Sequence, residues 1–130
     1  MKKYLAAVLA VVALLSIALS GCSTEAKIYA DSGRGINTGV NQEFTIALGS
    51  NITTGYSWQP IYDANVLALV NKEYKADDKT GRQVVGSGGT EYFHFKALKK
   101  GETKINFVYY RPWETPTPQD QSQTFTIDVK

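Results

Sequence analysis

From Glu43 onward, apolar and polar residues alternate with a period of two, the spacing that turns one face of a strand towards a core. Phe44, Ile46 and Leu48 share one side, and Glu43, Thr45 and Ala47 the other. The pattern returns in Tyr92-Phe93-His94-Phe95-Lys96, where two phenylalanines face the same way, in the row Ile105, Phe107, Tyr109, and in Phe125, Ile127, Val129. Val66-Leu67-Ala68-Leu69-Val70 is apolar on both sides, which suits a buried strand or one helical turn, and periodicity does not choose between them. Lys99-Lys100-Gly101-Glu102 separates two strand signals and reads as a turn in which Gly101 is free to take a positive φ. No internal repeat or sustained helical period interrupts the series. Short strands with turns about every ten residues predict an all-β domain, two antiparallel sheets packed as a sandwich, with loops gathered at its two ends.

The first segment follows another rule. Lys2 and Lys3 precede an apolar run from Leu5 to Leu19, broken only by Ser16, and Ser20, Gly21 and Cys22 follow. A run shorter than the roughly 20 residues of a permanent span, ending in small residues, reads as a cleavable secretory signal peptide. Leu19-Ser20-Gly21-Cys22 resembles the lipobox of prokaryotic lipoproteins, which implies that Cys22 receives a diacylglycerol and becomes the first residue of the mature chain. The plainer alternative is an ordinary signal peptide beside a chance free thiol. The expected division is therefore a leader over 1–21, a lipidated Cys, tether and first strand region over 22–39, and the folded domain over 40–130. Two or more acyl chains hold a protein stably on a membrane surface, so the expectation is an exported, membrane-anchored lipoprotein.

Composition narrows the chemistry. Among 130 residues there are 14 Lys+Arg, 12 Asp+Glu, one His and one Cys. One Cys excludes a disulfide framework and any zinc or iron–sulfur site built on several thiolates. With Cys22 acylated, thiol catalysis is excluded as well. Removing residues 1–21 takes away two lysines and no acids, leaving a balanced domain with no electrostatic reason to bind nucleic acid. His94, in a strand of alternating aromatics, reads as a structural residue, and Asp77 and Asp78, between Lys75 and Lys79, read as a solvated turn rather than a metal site. Neither a cofactor nor a metal is expected.

Three segments do not look like ordinary turns: Asn51-Ile52-Thr53-Thr54-Gly55-Tyr56, Gly86-Ser87-Gly88-Gly89-Thr90-Glu91 and Arg111-Pro112-Trp113-Glu114. Singly, each has a plain reading as a turn, a flexible link or a tryptophan folded onto the core. Together, NITTGY, GSGG and RPW in that order, with GGTEYFHF continuing the second into its strand, resemble the chagasin family, inhibitors of papain-like cysteine peptidases. The resemblance spans about residues 40 to 130. It implies an immunoglobulin-like sandwich, three loops clustered at one end, and a protein that inhibits without catalysing. It also implies peptidase contacts through Asn51, Ile52, Thr53, Thr54, Gly55, Tyr56, Gly86, Ser87, Gly88, Gly89, Thr90, Arg111, Pro112 and Trp113. The first loop would lie across the catalytic Cys–His pair, and the others would straddle it.

Elementary considerations agree with those roles. Thr53, Thr54 and Gly55 are small enough to bring backbone into a narrow cleft, glycines permit close main-chain approach, and Trp and Arg are the types most enriched at interface hot spots. Ile52 stands where the family usually has Pro, so the fixed φ of that position is missing. Ile52 is either tucked into the core or kept for a partner. The expected partners are papain-like cysteine peptidases and, through Cys22, a membrane; a monomer is expected. The rival reading is a membrane-anchored immunoglobulin-like binding or adhesion module without inhibitory activity, because a sandwich hosts many functions.

Overall fold

A computed structural model describes residues 26–77 and 88–130. The leader, Cys22 and the tether to residue 25 lie outside the described residues, as do Asp78, Gly86 and Ser87. Eight strands form two four-stranded sheets: β1 (Lys27–Tyr29), β2 (Ile36–Thr38), β3 (Glu43–Ser50), β4 (Ser57–Ile61), β5 (Leu67–Ala76), β6 (Gly89–Ala97), β7 (Gly101–Tyr110) and β8 (Gln121–Val129). One sheet runs β1-β3-β6-β5 and the other β2-β8-β7-β4. The fold is the expected all-β sandwich of immunoglobulin-like type.

Its core is made by the predicted alternating rows. Phe44, Ile46, Leu48, Phe93 and Phe95 from one sheet meet Ile105, Phe107, Phe125 and Ile127 from the other, all buried. Phe107 takes Phe93 and Phe125 edge-to-face, at centroid distances of 4.8 and 5.7 Å, the arrangement the ring quadrupole favours. Truncating such a buried phenylalanine to Ala costs about 3–5 kcal/mol.

Two features depart from the simple pattern. Each sheet is mixed rather than purely antiparallel: β1 runs parallel to β3, and β2 parallel to β8. The segment before residue 40 crosses from one sheet to the other and adds a three-residue strand to an edge of each, and edges this short offer little template for pairing with other chains. Of the apolar run at 66–70, Val66 closes the preceding turn, with its amide on the Asp63 carbonyl, and residues 67–70 open β5. A register irregularity between Leu69 and Asn71 turns Val70 outward, 55% exposed, so a run apolar on both sides needs burial on only one. The expected turn before β7 is present, with Gly101 at φ 135°.

Topology decides where the loops go. β3, β5 and β7 all end at one end of the sandwich, and β4, β6 and β8 begin there. The β3–β4 and β7–β8 connections and the described ends of the β5–β6 connection, Asp77 and Gly88, therefore lie at that same end.

Candidate functional site

The first loop is a turn closed on itself. Asn51 is extended (φ −122°, ψ 91°), and its side-chain oxygen accepts from the Thr53 amide at 3.2 Å and the Thr53 hydroxyl at 2.5 Å. Its carbonyl accepts from the Thr54 hydroxyl at 2.7 Å, and its amide donates to the Tyr109 hydroxyl at 3.0 Å. A 3₁₀ turn over Ile52–Thr54 follows, and Gly55 ends it at φ 83° with its amide on the Ile52 carbonyl. A short polar side chain capping the turn and a glycine in the left-handed region are what this closure requires. Both threonine hydroxyls are thus spent on bracing, while Ile52, Thr53 and Thr54 remain exposed. Ile52 is 46% exposed, which decides its placement: it is not tucked into the core.

The third loop is built onto the first. Arg111 donates through Nε to the Thr54 carbonyl at 3.1 Å, its guanidinium lies 4.8 Å from the Tyr56 ring centroid, and Nη1 lies 3.5 Å from Glu114 Oε1. Beneath Tyr56 come Tyr109 at 5.4 Å and then Trp58, 4.8 Å from Tyr109, whose indole N–H donates to the Gly49 carbonyl. A column of aromatic rings thus carries the guanidinium, a favourable cation–π setting. Glu114 N–H returns to the Arg111 carbonyl at 2.9 Å, closing the turn that carries Trp113. The Trp113 indole packs over Gly55, where any Cβ would overlap it, and is nevertheless 72% exposed. Trp113 is not folded onto the core.

For the second loop the described residues give the stem. Gly88 has φ 77° and its carbonyl accepts from the Asp77 amide at 3.0 Å. Gly89 is buried, and a Cβ there would run into the Lys75 carbonyl oxygen and the Tyr74 hydroxyl, so the strand pair closes only around glycine. Gly89 and Thr90 pair in register with Ser50 and Gly49, which sets this stem directly beside the entry to the first loop.

Sequence reasoning missed the group below the loops. Glu91 is 1% exposed; Oε1 accepts from the Ser57 hydroxyl at 2.8 Å and Oε2 from the Trp58 amide at 3.0 Å. The Lys72 ammonium lies 3.0 Å from Oε1 and also donates to the Ser57 hydroxyl at 3.0 Å. The signal was present: Glu91 shares parity with Phe93 and Phe95, and an acid on the core face of a strand must find partners. Nothing comparable marks Lys72 or Tyr109. His94 has the structural role expected of it, with Nδ1 2.8 Å from the Thr45 hydroxyl. Among the described residues, no three His, Cys, Asp or Glu side chains gather as metal ligands would.

Comparison with known proteins agrees with this geometry. The family model for chagasin family peptidase inhibitors matches residues 37–129. The chain is 31% identical over 107 residues to chagasin of Trypanosoma cruzi, covering 78% of this chain and 92% of that protein. It is 37% identical over 94 residues to amoebiasin-1 of Entamoeba histolytica, covering 72% and 84%. Among solved structures, a cysteine protease inhibitor from Entamoeba histolytica superposes with a TM-score of 0.65 at 26% identity, covering 83% of this chain and 100% of its own. The solution structure of amebosin gives a TM-score of 0.63 at 29% identity, covering 82% and 100%.

Proposed function

The chain belongs to the chagasin family of peptidase inhibitors, and from that premise we propose that it is a reversible, tight-binding inhibitor of papain-like cysteine peptidases. It is an inhibitor, not an enzyme. The observation that carries the reading is the joined edge of the first and third loops, where Arg111 clamps the Thr54 carbonyl and a largely exposed Trp113 rests on Gly55. The relative of known structure described as a cysteine protease inhibitor supports the target class.

Mechanistically, the first loop lies across the catalytic Cys–His pair and excludes substrate and water from it. Its small residues bring main chain close without bulk. Locked by its own hydrogen bonds, the turn cannot relax into extended chain without breaking them, so it resists cleavage. Trp113 anchors on one side of the cleft, and the glycine-rich second loop offers main-chain groups on the other. Rigid loops lose little entropy on docking, which favours tight binding.

The same reading includes a lipid on Cys22, an extracytoplasmic location and a monomer. Lys27 pairs with Phe44, at the end of β3 remote from the first loop, and this supports an orientation with the loops facing away from the membrane.

The test is competition for the cleft. Papain whose catalytic Cys carries a covalent peptidyl blocker should bind the protein at least tenfold more weakly than free papain, a loss of about 1.4 kcal/mol or more. Equal binding to blocked and free enzyme would overturn the occlusion mechanism.

A further inference from the structure

We infer that Glu91 is a positioning residue for inhibition: its buried carboxylate sets the first loop against the stem of the second, and Lys72 serves as its counter-ion. The inference rests on the inhibitor reading, but its geometry stands independently. Glu91 belongs to β6, two residues from Gly89, and Gly89 is the register partner of Ser50 at the entry to the first loop. Its three donors are the Ser57 hydroxyl, the Trp58 amide and the Lys72 ammonium. Ser57 and Trp58 open β4, in the opposite sheet, directly after the first loop. One carboxylate therefore joins the exit of the first loop to the stem of the second across the sandwich.

β4 is an edge strand, and its buried Trp58 amide donates to the Glu91 side chain from the opposite sheet. Without the carboxylate that amide would be buried and unpaired. Lys72 lies on β5, an edge strand of the opposite sheet, with its ammonium 5.2 Å from the Phe93 ring centroid. The ion pair itself adds little stability, since only Glu91 is buried and Lys72 remains exposed; the carboxylate's larger contribution is to pair the Trp58 amide and hold β4 in place. What apolar packing cannot reproduce is the direction of three hydrogen bonds, which fixes where β4 begins and hence where the first loop points.

The experiment compares the wild-type protein with Glu91→Gln, which keeps an acceptor for Trp58 but loses the ion pair, and with the double variant Glu91→Leu, Lys72→Met, which removes the network and keeps bulk. Inhibition constants against papain, melting temperatures and amide hydrogen exchange at Trp58 and through residues 51–56 are measured on each. The expected result is an inhibition constant that rises about tenfold or more in the double variant and less in Glu91→Gln, with faster loop exchange, in proteins that stay fully folded at the assay temperature. If the double variant does not fold, Glu91→Gln alone decides by the same readouts. Unchanged inhibition in folded variants, or losses that merely follow the melting temperature, would overturn the positioning role. If the wild type itself fails to inhibit, the inhibitor reading fails, while the exchange measurement still shows whether Glu91 orders the loop.

Discussion

The Trp113 indole lies so close over Gly55 that a Cβ there would displace it, and Gly55 holds φ at 83°. The first and third loops are thus in contact before any partner arrives. Gly55→Ala would bring two penalties, a Cβ in the left-handed region, about 1–2 kcal/mol, and displacement of the indole. The expected outcome is a lower melting temperature together with at least tenfold weaker inhibition, read by thermal denaturation and a papain titration, the tenfold being about 1.4 kcal/mol.

Trp113→Ala separates binding from folding. The ring is 72% exposed, so its removal should change stability by no more than about 0.5 kcal/mol. As the anchor of the interface it should cost on the order of 2 kcal/mol, about thirtyfold in affinity. A melt and an inhibition constant on the same preparation check both halves.

Ile52→Pro restores the residue usual for the family at a position prepared for it. Asn51 is extended, outside the α region that a following proline disfavours, and position 52 is the first of a 3₁₀ turn, where proline's φ fits. The substitution should stabilise the loop by roughly 0.4–1 kcal/mol and tighten inhibition about two- to fivefold. An unchanged or weaker inhibition constant counts against this account of the loop.

Arg111→Lys keeps the charge and loses the planar fork that donates to the Thr54 carbonyl while lying against Tyr56. Inhibition should weaken by about 1–2 kcal/mol, five- to thirtyfold, with the core and the melting temperature little changed. Wild-type inhibition by this variant would mean that charge alone matters at position 111.

The strand rows were legible because a half-buried strand must alternate, and Phe44, Phe93, Phe107 and Phe125 fall on the core as their spacing demands. The three loops were legible as motifs, and topology explains why the first and third meet beside the stem of the second. Other features depend on pairing between distant segments, which local pattern does not encode. The parallel placement of β1 and β2 is one, and the irregularity that exposes Val70 is another. Within the site, sequence marked Arg111 and Thr54 as contacts for a partner, and the structure adds that Arg111 donates to the Thr54 carbonyl, a link between loops that the motifs do not encode. Glu91 betrayed itself by parity alone, and Lys72, exposed along an edge strand, gave no sign of the carboxylate it meets.

The central claim is tested most directly by titrating papain and a cathepsin L-type peptidase with the purified protein while following hydrolysis of a fluorogenic peptide. The account predicts complete loss of activity near one-to-one stoichiometry, recovery on dilution, and an inhibitor recovered uncut. Full activity in the presence of folded protein at micromolar concentration would contradict it and leave the adhesion-module reading in its place.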